Sequence, residues 1–299
     1  MNRSDFLKHV AWISGWAIFA SAMKHGEPSP FTELRNGVGK FSMQGGTIGW
    51  FVNDDAIAAI DSQFPDPAGE FVSGIRSFGA GPEKFLFNTH HHGDHTGGNQ
   101  VFERKGYHII AHTNVPMLQE RSARANETEN NQAYAKTVFD REYELDLGNE
   151  TIHAKYYGPA HTKGDSVIWF RNANIVHTGD LIFNRRYPFI DRDGGALITG
   201  WIDLLETVYS EADAETLFIF GHGNPEFGVT GLRADLLYMR DFLSHLLEYT
   251  QRGILEGKNR EELRRIRYFE TFPDHESPSD FLSLPRNIDA AWRELTDAD

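Results

Sequence analysis

Thr89-His90-His91-His92-Gly93-Asp94-His95-Thr96-Gly97-Gly98 places four potential metal ligands, His90, His92, Asp94 and His95, within six residues. It follows Glu83-Lys84-Phe85-Leu86-Phe87-Asn88, a short apolar run that reads as a buried strand. Gly97-Gly98 lets the chain turn before the polar-apolar pattern of Asn99 to Arg104, so the ligands sit on a strand-to-helix loop. Imidazoles two apart on extended backbone, His90 and His92, can face one cation, while Asp94 and His95 at the turn can face a second. The spacer His91 is expected to point away. Three consecutive histidines could form a surface metal-scavenging tract, but the full H-x-H-x-D-H pattern, with partners further along the chain, argues for a built site.

Those partners appear at predicted strand ends. His161 lies in Gly158-Pro159-Ala160-His161-Thr162-Lys163-Gly164-Asp165, between the strands Thr151 to Tyr157 and Val167 to Phe170. The run Ala173 to Thr178 delivers Gly179-Asp180, and a carboxylate there can bridge two cations as a neutral imidazole cannot. Thr216 to Phe220 ends in Gly221-His222-Gly223, again a histidine at a strand tip. His177 is expected in the core or behind the ligands, and His108, His112 and His153 read as structural.

The rest of the chain supplies a frame. Strand-like runs broken by glycines fill Phe31 to Asp61, including a hairpin of Thr47 to Val52 with Ala56 to Asp61. Helical spacing marks Pro65 to Phe78, a segment opening at Thr113 or Asn114, Ile198 to Tyr209, roughly Val229 to Arg267, and Asn287 to Glu294. Tyr107 to Ala111 reads as a strand, and Glu142 to Leu147 turns through Gly148-Asn149 into Thr151 to Tyr157. Glu120 to Thr137 is either a mobile segment bordering the site or a solvated surface helix. The C-terminal tail is expected to add cover, not chemistry.

Composition narrows the partners. With 40% apolar and 24% charged residues, the 299-residue chain has the balance of a folded domain with a sizeable core. Lys and Arg number 29 against 43 Asp and Glu, a net charge of −14, which disfavours nucleic acid and favours a small-molecule substrate. With no cysteine, disulfides and thiolate ligands are excluded, so every metal ligand must be nitrogen or oxygen. Residues 1–22 combine Arg3, Lys8 and His9, the apolar run Val10 to Ala20 and the small residues Ala20-Ser21-Ala22, the layout of a signal peptide. Asn2 to Lys8 resembles a twin-arginine signal with Ser4 where the second arginine is expected; a buried N-terminal helix is the alternative. The run is short for a membrane span, so the mature protein, residues 23–299, is expected to be periplasmic or secreted, without an integral membrane segment.

Taken together, Asp61, His90-x-His92-x-Asp94-His95, His161, Asp180 and His222 resemble the ordered set of the metallo-β-lactamase fold superfamily, over about Asn36 to Asn224. The resemblance implies an α/β fold, a four-layer αββα sandwich in one domain with a C-terminal helical extension and two zinc ions at one edge. It places His90, His92 and His161 on the first metal, Asp94, His95 and His222 on the second, Asp180 between them, and Asp61 behind the histidine loop as a hydrogen-bonding support. The implied chemistry is hydrolysis of an amide, ester, lactone or thioester, with β-lactams among the candidates; Asp94 could also take a proton as the tetrahedral intermediate collapses. Asp180 stands where the best-known lactamases carry cysteine, which resembles the thioesterase, lactonase and nuclease branches. Alternatives are a mononuclear iron dioxygenase of the persulfide type, since all-N/O ligation admits iron, and a noncatalytic binding protein on the same fold. For substrate contacts, Arg185 and Arg186 are candidates for a carboxylate, or else they pair with Asp191 and Asp193; Lys163 is a weaker candidate.

Overall fold

The computed structural model describes residues 29–297, of which Phe31 onward forms one compact unit. The signal-peptide reading of residues 1–22 falls outside them. Among the described residues, no helix is long and apolar enough to cross a membrane.

The unit is built on two facing sheets. The first contains β1 (Phe31–Arg35), β2 (Val38–Phe41), β3 (Ile48–Val52), β4 (Ala56–Ile60), β5 (Glu83–Asn88), β6 (His108–His112) and β7 (Thr137–Phe139), in that order. β1 to β4 form an antiparallel meander, whereas β4 to β7 run parallel. The second sheet runs from β8 (Glu142–Asp146) through β9 (Thr151–Tyr156), β10 (Ser166–Phe170), β11 (Ile175–His177) and β13 (Leu217–Ile219) to β15 (Thr230–Gly231). Two short strands, β12 (Phe183–Asn184) and β14 (His222–Gly223), pair separately in parallel.

Period-two alternation builds the layers. On β4, Ala56, Ala58 and Ile60 face the second sheet, packing with Phe87 of β5 and with Ile168 and Phe170 of β10. The alternate residues Ile57 and Ala59 face outward, against Phe71 of α1 (Pro65–Gly74) and Phe102 of α3 (Asn99–Arg104). On β10, Val167 and Trp169 likewise face a cluster with Trp201, Leu204 and Leu205 of α5 (Ile198–Glu211), Phe242 and Leu243 of α6 (Arg233–Leu255), and Ile288 of α8 (Leu284–Thr296). The expected αββα sandwich is therefore present. Every strand buried on both faces owes its near-continuous apolar text to this double coverage.

Local chemistry moved several boundaries. The helix expected to reach Phe78 ends at Gly74 and tightens into a 3₁₀ turn, Ile75–Ser77. α4 (Asn114–Asn126) opens without a side-chain cap, because Asn114 Nδ2 instead donates to the Lys163 carbonyl at 2.6 Å. Glu127, at φ 58°, stops it. The Glu120 to Thr137 stretch is thus part helix, part loop, and its end enters β7, a strand its polar text did not announce. The expected Val229 to Arg267 helix contains a strand first, β15, then α6, and breaks at Gly257 (φ 76°) before the short α7 (Arg260–Leu263).

Candidate metal centre

Three strand ends meet at one edge. β5 leads into the histidine loop and the short helix α2 (Gly93–Thr96), β11 leads through Gly179 to Asp180, and β13 leads to His222 on β14. His161 arrives on the loop before β10. Residues separated by up to 132 positions, His90 and His222, thereby reach one site: His90, His92, His161 and Asp180 form one group of donor atoms within 4.8 Å of one another, and Asp94, His95, Asp180 and His222 form a second.

In the first group, His92 Nδ1 lies 3.0 Å from both His90 Nε2 and His161 Nε2. Asp180 Oδ2 closes it at 3.8 Å from His90 Nε2 and 3.6 Å from His161 Nε2. In the second, Asp180 Oδ1 lies 3.0 Å from His95 Nε2 and 3.4 Å from His222 Nε2, while Asp94 Oδ2 lies 3.0 Å from His222 Nε2 and 3.6 Å from His95 Nε2. One carboxylate thus offers one oxygen to each group.

The outward ring nitrogens of His90, His92, His95 and His161 are each held by a partner. His90 Nδ1 meets Thr89 Oγ1 at 3.0 Å, and that hydroxyl donates to Asp61 Oδ2 at 2.8 Å. Asp61 also accepts from the Thr89 amide at 2.7 Å and meets His95 Nδ1 at 2.7 Å, so one buried carboxylate holds histidines of both groups. His161 Nδ1 meets the Phe189 carbonyl at 2.7 Å, and His92 Nε2 meets Asp191 Oδ2 at 3.1 Å. For His90, His92 and His161 these partners are acceptors, or in Thr89 a hydroxyl already committed as a donor, so in this first group the outward nitrogens carry the protons and the inward ones present lone pairs. Three lone pairs converging at hydrogen-bond distance repel unless a cation lies among them. Asp180 Oδ1, buried without an aligned donor, has the same need. The donor set therefore fits metal ions.

Backbone close approach completes the cradle. A Cβ on Gly46 would meet His95 Cε1 at 2.2 Å, and one on Gly221 would meet Asp180 Oδ1 at 2.0 Å. Glycine beside His222 is thus required by the carboxylate across from it. Gly179, at φ 52°, packs its backbone against Thr89.

All seven expected ligands are brought together, and Asp61 stands behind them. His91 is buried, with Nε2 3.5 Å from Asp191 Oδ2 and outside both groups. His177 hydrogen-bonds the Thr47 carbonyl at 3.0 Å in the core. The alternative in which Arg185 and Arg186 pair with Asp191 and Asp193 is not what the structure shows. Arg185 meets Asp235 at 2.8 Å and lies 3.7 Å over the Tyr238 ring, while Arg186 meets Glu276 at 2.5 Å. The intended partners have other roles: Asp191 holds His92, and Asp193 meets Arg293 at 2.8 Å. Sequence reasoning missed Asp191, Thr89 and Phe189 as supports; the only available hint was the placement of Asp191 in a glycine-flanked loop.

Known proteins resemble this chain in sequence and in fold. A type 2 metallo-β-lactamase from Bacillus cereus is 28% identical over 52% of this chain and 56% of its own length, and the chain spans about half the length or less of the curated relatives it matches. In fold, the chain resembles the DIM-1 metallo-β-lactamase (TM-score 0.61, 19% identity, 73% of this chain and 98% of that one) and the sec-alkyl sulfatase PisA1 (TM-score 0.69, 11% identity, 90% of this chain and 50% of that one). The family model of the metallo-β-lactamase superfamily matches residues 51–222, from β3 to the last of the clustered histidines, and the chain belongs to that superfamily.

Proposed function

We propose that the protein is an exported hydrolase, one catalytic domain with a C-terminal helical extension, which holds two zinc ions and cleaves an amide, ester, lactone or thioester in a small molecule. The observation that carries this reading is Asp180, whose two oxygens face the two donor groups from a position 4% exposed. Bound dications would supply Lewis acidity toward a carbonyl oxygen and lower the pKa of water to about 7. His90, His92 and His161 would hold the first ion, Asp94, His95 and His222 the second, and Asp180 both. The absence of cysteine leaves no thiol nucleophile, and none is required.

The chain's own groups set the direction of approach. His92, Asp94 and His222 are 17, 28 and 18% exposed, whereas His90, His95 and His161 are essentially closed to solvent. Substrate therefore meets the His92, Asp94 and His222 face. Asp94 is the carboxylate nearest solvent and can accept a proton at Oδ2, although its contact with His222 limits its basicity. The Bacillus cereus relative keeps β-lactams in the substrate panel beside lactones and thioesters.

The test is metal content per chain followed by that panel. About two zinc ions with turnover of one member support the reading. One iron per chain with oxygen consumption, or protein that takes up no zinc, overturns it.

A further inference from the structure

An aromatic surface begins at the metal centre and continues onto the C-terminal tail, beyond the family match. Phe189, whose carbonyl receives His161, lies with its ring 5.2 Å from that of His92. Its ring in turn packs 4.7 Å from that of Phe281, which remains 43% exposed. A large apolar side chain left open beside the accessible histidine of the site retains the capacity to bury a ligand.

The tail is fixed on both sides of Phe281. Before it, the Glu276 amide donates to the Arg185 carbonyl at 3.0 Å, the Tyr187 amide donates to the Glu276 carbonyl at 3.3 Å, and His275 stacks 4.4 Å from Phe242. After it, Asn287 Nδ2 donates to the Pro188 carbonyl at 2.6 Å. Within the loop, Ser277 Oγ donates to the Leu282 carbonyl at 2.8 Å and Ser283 Oγ to that of Asp280 at 2.9 Å. Both anchors grip Arg185 to Pro188, the segment leading directly into Phe189. The loop therefore presents Phe281 to solvent from a position fixed relative to His92.

We propose that Phe189 and Phe281 form the wall that receives an apolar group of the substrate, an aromatic ring or acyl chain attached to the scissile carbonyl, so that the site selects such substrates over acetyl-sized ones. The reaction in this statement rests on the hydrolase reading above; the apolar wall does not.

Two measurements on the zinc-loaded full chain separate them. One is the Kd of phenylacetohydroxamate against acetohydroxamate by calorimetry, and the other is kcat/KM for p-nitrophenyl phenylacetate against p-nitrophenyl acetate. Wild-type protein is expected to favour the phenylacetyl member of each pair by about tenfold, Phe281→Ala to remove most of that preference by weakening the phenylacetyl member more than the acetyl one, and Phe281→Trp to keep it. No wild-type preference in Kd, including no binding of either hydroxamate, overturns the proposal. So does a Phe281→Ala variant that keeps the preference or weakens both probes equally, the signature of a merely structural role. If neither ester nor any member of the β-lactam, lactone and thioester panel is turned over while the Kd preference behaves as expected, the hydrolase reading falls and the wall stands.

Discussion

The two halves of the metal centre share Asp180 but are electrostatic opposites. The His90, His92 and His161 half gathers imidazoles away from water: burial and the neighbouring histidine His95 hold the His90 pKa well below the usual range, and burial with His92 lowers that of His161 to about 3. The other half surrounds histidines with carboxylates. Burial opposes charge there too, yet Asp180 and Asp94 overcome it, raising His222 to about 9 and, with Asp61, His95 well above its ordinary value. At neutral pH and without metal, His90 and His161 are neutral, whereas His95 and His222 are imidazoliums paired with carboxylates. One half is ready for a cation; the other must first release protons.

The largest test of that comparison removes what the halves share. Asp180→Asn deletes the shared negative charge, and metal affinity at both halves should fall by more than roughly a hundredfold, with turnover falling alongside; equilibrium dialysis at two zinc concentrations reads it. Retention of two ions per chain would break the comparison.

Next comes pH. In the metal-free protein His222 is protonated below about 9 and His95, raised well above its ordinary value, is protonated too, so binding at their half displaces two protons and affinity should drop about a hundredfold for each pH unit lowered towards 6. His161, already neutral well above 3, asks for no proton release over the same range. Chelator competition between pH 6 and 8 should show one steep and one much flatter dependence, with a one-ion state accumulating at the acid end. Two parallel curves would contradict it.

A narrower change should act on one half alone. Asp191→Asn weakens the acceptor behind His92 and should reduce affinity at the first half by roughly tenfold, leaving the second unchanged. Arg293→Ala removes the exposed pair with Asp193, 42 and 82% open to solvent, and should shift stability by less than about 1 kcal/mol in thermal melts, with metal content unaltered.

What could be read along the chain divides along the same physical line. The histidine loop was legible because its ligands are neighbours in sequence and the strand before it has the length and apolarity of a buried strand. His161, Asp180 and His222 were legible because each stands at the tip of such a strand. Asp191 was not: it reaches His92 across 99 positions, and its text, among Arg192, Asp193 and two glycines, is that of any surface loop. Arg185 and Arg186 met carboxylates 50 and 90 positions away in place of the nearby Asp191 and Asp193. The tail, read as cover, brought Phe281 onto Phe189.

The order and spacing of ligands, the period-two strands and the resulting layers were therefore present in the amino-acid text, because local backbone geometry and burial dictate them residue by residue. Which nitrogen of each histidine faces inward, which half of the centre is neutral, and what lines the approach to it were decided only by packing. Those properties depend on acceptors, carboxylates and rings that distant segments supply, and Coulombic and hydrogen-bond interactions follow distance in space, not separation along the chain.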